Sequence, residues 1–364
     1  MGAFLVGIGT ATPAHTIAQR EAAELAKAFC CQTNEQTRLL PMLYRRTRIR
    51  QRGSVLLDHA KGLGPPQSFF SPAQGTMDRG PTTQQRMQRY AQEMPPLALR
   101  AARSALRESG LAPQQISQLV TVSCTGFMAP GVDLTLITTL GVPCTVGRTH
   151  VGFMGCHGAL NGLRVASALV RADPDARVLL CAVELCSLHF RYGWDPEQVV
   201  ANALFADGAA AAVLVHARRA PADAWRVVAS GSSLFPDSAE AMTWRIGDHG
   251  FEMTLSARVP ALIAEHLRPW LTSWLRQQGL TVPEIRSWAI HPGGPRVLST
   301  VAACLNVPLP MMAASHAVLA ECGNMSSPTV LFILERLRRE AAARPCVALG
   351  FGPGLVVEAA LLDA

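Results

Sequence analysis

Lysine is nearly absent from this chain of 364 residues, in which 33 residues are basic but only Lys27 and Lys61 are lysines. The scarcity argues against Schiff-base enzymes, because Lys27 falls in an amphipathic helix pattern and Lys61 in a Gly-rich loop, and neither setting desolvates an amine. No GxxxxGK[ST] motif occurs, which excludes a P-loop. The other basic residues are arginines, whose guanidinium groups suit anionic ligands such as phosphates.

Further absences narrow the class of protein. Charged residues make up only 16% of the chain and hydrophobic residues 49%, which excludes disorder and allows a large core. No apolar run reaches the roughly 18 residues of a membrane-spanning helix, and the N-terminal MGAFLVGIGTATP lacks the basic region of a secretory signal. The ten cysteines lack the paired spacing of a disulfide scaffold. We therefore expect a cytoplasmic protein with reduced thiols and no integral membrane association.

The pattern along the chain predicts an α/β protein. Strand patterns alternate with helix patterns, which favours a mostly parallel sheet covered on both faces by helices. Thr16 and Gln19 form a capping-box pattern that opens a helix through about Phe29, and residues 53–82 have the composition of a long surface loop. The other predicted strands cover 3–9, 117–124, 177–183, 209–215, 286–290 and 345–349, and the other predicted helices cover 95–109, 158–172 and 326–341.

Two halves are expected, because the chain is too long for one ordinary domain of about 150 residues. The segments 206–215 and 350–362 echo each other weakly, each being a Gly-rich turn that leads into a strand of small residues. The polar segment 216–226 lies between them. We therefore predict an N-terminal half over residues 1–218 and a C-terminal half over residues 219–364.

Cys156 is the strongest candidate nucleophile. It lies in GCHGALNGLR, where glycines flank it at 155 and 158 and apolar residues then follow at helical spacing. A cysteine in a tight turn that opens a helix has its thiolate stabilised by free backbone N–H groups and by the helix dipole. The other nine cysteines fit the usual interpretation as small buried hydrophobic residues.

Two more residues lie in similar turns. His291 follows an apolar strand in WAIHPGGPRVL, at the edge where α/β folds place their sites. Asn324 lies in ECGNMSSPTVLFIL, between a glycine and a predicted helix. Together with Cys156 they supply a nucleophile, a base or ion-pair partner, and an amide donor.

Five motifs, in order, resemble the type III polyketide synthases, the chalcone synthase family of the thiolase superfamily: GCHGALNGLR, ALFADGAAAAVLV, HPGGPRVL, GNMSSPTVLFIL and GFGPGL. The resemblance covers nearly the whole chain. It implies a thiolase-like, five-layered αβαβα fold built from two similar halves, and a homodimer. It also implies decarboxylative condensation of malonyl-CoA onto an acyl-CoA starter, with no cofactor, metal or carrier protein.

The resemblance assigns catalytic roles to three residues. Cys156 matches the nucleophile that holds the growing chain, and His291 and Asn324 match the other two catalytic positions. His291 is expected to lower the pKa of the Cys156 thiol by ion pairing. With Asn324 it is expected to donate hydrogen bonds to the thioester oxygen while malonyl-CoA loses CO2.

The resemblance also assigns the cavity wall. Phe205 matches one gatekeeping phenylalanine, whereas the second gatekeeper position holds Met253. Cys124 and Cys186 stand where the plant enzymes carry threonines, and Trp244 stands where they carry a cavity glycine. This combination is similar to bacterial synthases of long-chain alkylpyrones and alkylresorcinols, although the two cysteines also occur in synthases that make tetrahydroxynaphthalene from malonyl-CoA alone.

The remaining predicted contacts are polar. Ser326, in the turn after Asn324, is assigned to substrate binding, and Arg45, Arg46 and Arg50 are assigned to the phosphates of CoA. A solvated basic helix face is the alternative for these arginines. Because the arginines elsewhere are dispersed, no nucleic-acid partner is expected.

The predicted activity is a type III polyketide synthase that takes a fatty acyl-CoA starter and malonyl-CoA extenders. Three alternatives stay open: a tetrahydroxynaphthalene-type synthase that uses malonyl-CoA alone, a ketosynthase III of fatty-acid synthesis, and an acyl-binding partner without catalysis. Use of malonyl-CoA without a carrier protein would distinguish either kind of polyketide synthase from the ketosynthase.

Overall fold

The structure, a computed structural model, describes residues 2–58 and 67–364 of the chain. Its strands are β1 (Ala3–Ala11), β2 (Thr16–Ala18), β3 (Gln51–Gly53), β4 (Gln118–Ser123), β5 (Gly147–Gly152), β6 (Arg177–Leu185), β7 (Asp207–His216), β8 (Trp225–Leu234), β9 (Met242–Gly247), β10 (Gly250–Leu255), β11 (Ser287–Ile290), β12 (Cys346–Gly352) and β13 (Val356–Asp363). Its α-helices are α1 (Gln19–Cys30), α2 (Asn34–Arg46), α3 (Thr83–Ser109), α4 (Val132–Leu140), α5 (Gly158–Ala172), α6 (Pro196–Leu204), α7 (Val259–Gln277), α8 (Pro295–Leu305), α9 (Ala313–Cys322) and α10 (Thr329–Arg339).

The main sheet has nine strands in the order β11-β12-β13-β8-β1-β7-β6-β4-β5. Within the described residues, five neighbouring pairs are antiparallel, and three, β11–β12, β4–β5 and β4–β6, are parallel. The prediction of a mostly parallel sheet was therefore wrong. β7 and β13 account for the difference, since each is antiparallel to both neighbours. The turn Pro353–Leu355 that joins β12 to β13 is too short for the crossover that a parallel pair needs.

The sheet repeats one strand pattern twice. The series β1, β7, β6, β4 and the series β8, β13, β12, β11 each run antiparallel, antiparallel and then parallel. The two similar sequence segments, 206–215 and 350–362, contain most of β7 and most of β13. These strands occupy equivalent positions in the two series. The series join where Ala3–Leu5 of β1 pairs with Trp225–Val227 of β8. The division of the chain at residues 218 and 219 stays a prediction.

Three large hydrophobic cores in the described part of the chain lie between the five layers. The first core lies between α3 and one face of the N-terminal series, and the second surrounds α5 and α10 between the two series. The third lies between the C-terminal series and the helices α7 and α8. The fully buried strand β7 shows the alternation, since Val213 and Val215 face the first core while Ala212 and Leu214 face the second. This confirms the five-layered αβαβα fold.

Two predicted helix starts were wrong. The helix predicted at 95–109 begins at Thr83, where Thr82 and Gln85 form a capping box that satisfies the first N–H groups, and Pro95 lies inside it. The capping box predicted at Thr16 does not form, because Thr16 belongs to β2 and pairs with β3. The side chain of Gln19 instead donates to the Ala203 carbonyl at 2.7 Å. The helix predicted at 158–172 is confirmed as α5.

The structure can be compared with the sequence analysis on two points, the two lysines and the membrane-spanning helices. Lys27 forms an ion pair with Glu24 at 2.6 Å, whereas Lys61 and part of the predicted loop at 53–82 lie outside the described residues. Among the helices that are described, none has the length and apolar character needed to cross a bilayer.

Candidate active site

Cys156 opens onto an apolar cavity at the carboxyl ends of β4 and β6. The wall of this cavity contains all six residues predicted to contact substrate: Cys124, Cys186, Phe205, Trp244, Met253 and Ser326. Cys124 directly follows β4, and Cys186 directly follows β6. The sheet therefore brings residues that are far apart in sequence to one edge, next to the candidate nucleophile.

The turn that carries Cys156 depends on a glycine. Gly155–His157 forms one 3₁₀ turn that leads directly into α5. Gly155 has a φ of +66°, and a Cβ there would lie 2.4 Å from Cδ of Pro353. Only glycine fits this backbone and this close approach without strain. The turn therefore holds Cys156 at the start of α5, where helix N–H groups are free.

Burial dominates the ionisation of Cys156. The pKa of the thiol is raised to about 12, mainly by burial and also by Glu184, although hydrogen bonds with Ser326 and Asn324 lower it. His291 does not lower it, which differs from the expected ion pair. The physical reason is that burial also lowers the pKa of His291, to about 3. The resting pair is thus a thiol and a neutral imidazole.

His291 lies directly after β11, beside the turn that carries Cys156. It is 1% exposed, and its backbone N–H donates to the Leu349 carbonyl at 2.8 Å. In the described part of the chain, neither ring nitrogen has a hydrogen-bond partner. The interaction with His157 adds to the effect of burial in lowering the pKa of His291. A neutral, unpartnered imidazole is available to accept or donate a proton when substrate arrives.

Asn324 is held by the backbone on either side of Phe205. Its N–H donates to the Leu204 carbonyl and its carbonyl accepts from the N–H of Ala206, both at 2.9 Å. The side-chain Oδ1 accepts from the N–H of Ser326 at 2.8 Å. Because Oδ1 is occupied, the amide NH2 group is the part of the side chain left to donate towards Cys156.

Ser326 has an unusual backbone. Its φ is +56°, in the left-handed region that residues other than glycine rarely adopt. This conformation directs its hydroxyl to the cysteines, with Oγ 3.4 Å from Sγ of Cys124 and hydrogen-bonded to Cys156. Strain of this kind concentrates at functional sites.

Glu184 is a site residue that the sequence analysis missed. Its carboxylate is fully buried and accepts from the N–H groups of Cys124 and Thr125, the hydroxyl of Thr125 at 2.7 Å and the hydroxyl of Ser327 at 2.5 Å. Burial raises the pKa of Glu184, and the hydrogen bond from Ser327 lowers it. This carboxylate joins the loop after β4 to the loop that carries Asn324. The signal available was the charged residue in VELCSLHF, two positions before Cys186.

The hairpin of β9 and β10 closes the cavity. Trp244 and Met253 are opposite each other in this hairpin, so they face the same side. The indole N–H of Trp244 donates to the Cys124 carbonyl at 2.7 Å. Phe251 of the same hairpin stacks on His189 with ring centroids 4.2 Å apart. Trp244 is therefore fixed in the space that the resemblance assigns to a cavity glycine.

The predicted phosphate-binding arginines do not line the cavity. Arg45 and Arg46 are exposed at the end of α2, and exposed Arg50 pairs with Glu321 at 3.2 Å. Their contact with CoA stays a prediction. The cavity wall contains Arg52 instead, which the sequence analysis did not single out although it lies two residues after the basic run.

Comparison with known proteins decides the family. The family model described as chalcone and stilbene synthases, N-terminal domain, matches residues 2–219, and the C-terminal domain model matches residues 226–364. The chain belongs to this family. It is a type III polyketide synthase, an acyltransferase whose substrates are CoA thioesters and whose chemistry needs no cofactor. The described residues contain no group of three or more side chains suited to a metal ion.

Several relatives cover nearly the full chain. The alpha-pyrone synthesis polyketide synthase-like Pks18 of Mycobacterium tuberculosis is 31% identical over 99% of this chain and 91% of its own length. The 1,3,6,8-tetrahydroxynaphthalene synthase of Streptomyces peucetius is 33% identical over 99% of this chain and 93% of its own. The crystal structure of PKS-I from the brown alga Ectocarpus siliculosus is similar with a TM-score of 0.92 and 32% identity, over 100% of this chain and 98% of that one.

The raised pKa of Cys156 predicts slow alkylation at neutral pH. With a pKa of about 12, the thiolate fraction grows about tenfold for each unit of pH between 7 and 10. The rate of iodoacetamide labelling at Cys156, read by peptide mass spectrometry, should rise accordingly, with exposed Cys144 as the reference in the same digest. A labelling rate that is already constant between pH 6 and 8 would show a thiolate–imidazolium pair and contradict the neutral resting state.

Proposed function

We propose that this enzyme condenses a fatty acyl-CoA starter with malonyl-CoA by repeated decarboxylative Claisen condensation and cyclises the chain to an alkylpyrone or alkylresorcinol. The observation that carries the proposal is the mostly apolar wall of the cavity next to Cys156, which includes Leu25, Phe29, Phe70 and Phe190. The similarity to Pks18, which is named for alpha-pyrone synthesis, supports the product class. A cytoplasmic location is part of the proposal.

Loading of the starter uses the neutral resting pair. The thiol of Cys156 attacks the thioester carbonyl of the starter, and its proton passes to His291. The imidazolium then returns a proton to the departing CoA thiolate, which leaves as CoASH. The starter remains as a thioester on Cys156, and His291 is neutral again.

Extension uses Asn324 and His291 as hydrogen-bond donors. Malonyl-CoA loses CO2, and the electron pair of the broken C–C bond forms an enolate whose oxygen accepts from the Asn324 amide and from the N–H of neutral His291. The enolate carbon attacks the thioester carbonyl on Cys156 and displaces the sulfur as a thiolate, which takes up a proton from solvent and restores the resting thiol. The chain, longer by two carbons and now on CoA, returns to Cys156 for the next cycle.

The cavity offers apolar side chains to the alkyl chain of the starter. Besides Cys186, its wall contains Phe190, Phe29, Phe70 and Leu25 of α1. The three phenylalanine rings pack together with centroids 5.6 to 6.3 Å apart. Each methylene buried against such a wall contributes about 0.8 kcal/mol. This apolar wall, with Trp244 fixed by its hydrogen bond to the Cys124 carbonyl, supports an alkyl starter.

The relative rates with different acyl-CoA starters test whether the cavity binds an alkyl chain. Octanoyl- to palmitoyl-CoA should exceed coumaroyl-CoA in kcat/KM by at least tenfold, since a coumaroyl ring is wider and buries fewer methylenes. Cys186→Phe should shorten the accepted starter without changing alkylation of Cys156, and Trp244→Gly should permit an extra extension or a different ring. The assay is a panel of acyl-CoAs with labelled malonyl-CoA, with products identified by mass spectrometry.

Malonyl-CoA alone is the control of that panel. A synthase that uses malonyl-CoA alone is the second candidate. It is supported by the similarity to the tetrahydroxynaphthalene synthase from Streptomyces peucetius and by the two cavity cysteines associated above with such synthases. A pentaketide formed at full rate without a starter, with the fatty acyl-CoAs ignored, would replace the fatty-acyl proposal by that candidate.

The separate roles proposed for Cys156 and Asn324 predict the effects of substituting each residue. Cys156→Ala should abolish elongation but leave some decarboxylation of malonyl-CoA, because the enolate is stabilised by other residues. Asn324→Ala should slow decarboxylation by about 10²–10³, the usual cost of one oxyanion donor. Product formation and CO2 release from labelled malonyl-CoA measure the two steps, without any carrier protein in the assay. Elongation by Cys156→Ala would refute the assignment, and no turnover by the wild type would favour an acyl-binding partner.

A homodimer is part of the proposal. The edge strand β5 leaves one side of the main sheet unpaired within the described residues, and Phe127, Met128, Leu134 and Met154 are exposed apolar residues of the neighbouring segments. A second copy of the chain would cover this surface. Light scattering should give twice the 38.9 kDa of one chain, and a monomer would contradict the dimer.

A further inference from the structure

Arg52 lies beneath the gate, in a place that the reaction described above does not use. It belongs to β3 and lines the cavity. One guanidinium nitrogen, Nη1, donates to the carbonyls of Asn202 and Phe205, each at 2.6 Å. These carbonyls lie at the C-terminal end of α6, where free carbonyl groups favour a cation. The side chain therefore fixes the backbone of the gate residue itself.

The peptide groups on either side of Phe205 hold Asn324. The Leu204 carbonyl accepts from the N–H of Asn324, and the N–H of Ala206 donates to its carbonyl. The chain is closely packed around Gly323, because a Cβ at this position would lie 3.0 Å from Cβ of Ala206 and 3.3 Å from Cβ of Arg52. A shift of the gate backbone is thus passed directly to Asn324.

The two gate carbonyls are the principal partners of this guanidinium. Within residues 2–58 and 67–364, no carboxylate forms an ion pair with Arg52. Its guanidinium lies over the ring of Tyr44, 5.7 Å from the centroid. Tyr44 also forms a hydrogen bond with the guanidinium, and Asp207 attracts it electrostatically while accepting from the N–H and the hydroxyl of Ser187. The backbone carbonyls of Asn202 and Phe205 are the acceptors that connect this charge to the gate.

We propose that Arg52 is a positioning residue that fixes Phe205 and Asn324 as one unit, and so couples the gate between CoA and the cavity to stabilisation of the enolate. The proposal rests on the proposed role of Asn324. Arg52 acts through the Phe205 backbone and takes no part in bond making.

Decarboxylation of malonyl-CoA by two Arg52 variants tests the proposal. Arg52→Met should lower kcat at least tenfold and change KM less than threefold, because the amide donor is misplaced while CoA binding persists. Arg52→Lys should restore part of kcat, since an ammonium group still reaches one carbonyl, and it carries the test if Arg52→Met fails to fold. Arg171→Met is the matched control, because Arg171 also donates to two backbone carbonyls, those of Val227 and Val228, away from the cavity.

A double-mutant cycle separates positioning from general damage. In the Asn324→Ala background, Arg52→Met should reduce kcat less than twofold further, because the group it positions is gone. An unchanged kcat in Arg52→Met, an equal loss in Arg171→Met, or a full additional loss in the Asn324→Ala background would each overturn the inference. A wild-type enzyme that releases no CO2 from malonyl-CoA would instead overturn the proposed function on which the inference rests.

Discussion

The site depends on the hydrogen bonds that the buried carboxylate of Glu184 accepts. This carboxylate comes from β6 of the N-terminal series and accepts from Cys124 and Thr125, which follow β4, and from Ser327, which lies just before α10. A charge held in a low dielectric needs all of these hydrogen bonds, and leaving it unpaired would cost several kcal/mol. The requirement fixes the distance between the loop that shapes the cavity and the loop that carries Asn324.

The burial that makes this network strong also sets the chemistry. It favours the thiol form of Cys156 and the neutral form of His291. In the proposed mechanism, charge develops only during reaction, where the amide of Asn324 is placed to stabilise it. The proposed preference for an alkyl starter over an aromatic one rests on the apolar cavity wall and on the fixed Trp244.

The motifs allowed much of the fold and the site to be predicted. Gly-rich turns around Cys156 and Asn324 and the strand before His291 are local patterns, and the family resemblance brought them together. Local patterns could not show that β7 and β13 run antiparallel to their neighbours, since that depends on connections and pairing across the sheet. Glu184 and Arg52 were missed for a related reason, because their partners are more than 50 residues away in the chain.

Ser327→Ala tests whether Glu184 positions the loop that carries Asn324, because Ser327 donates from that loop to the carboxylate. Ser327 is fully buried and does not line the cavity, so its removal leaves the substrate wall unchanged. Losing a hydrogen bond to a charged group costs about 1.5–3 kcal/mol, and part of that loss should appear in the rate. The measurement is kcat for malonyl-CoA decarboxylation by the folded variant. A fall of about tenfold with unchanged labelling of Cys156 is expected, and a kcat equal to that of the wild type would rule out this role of Glu184.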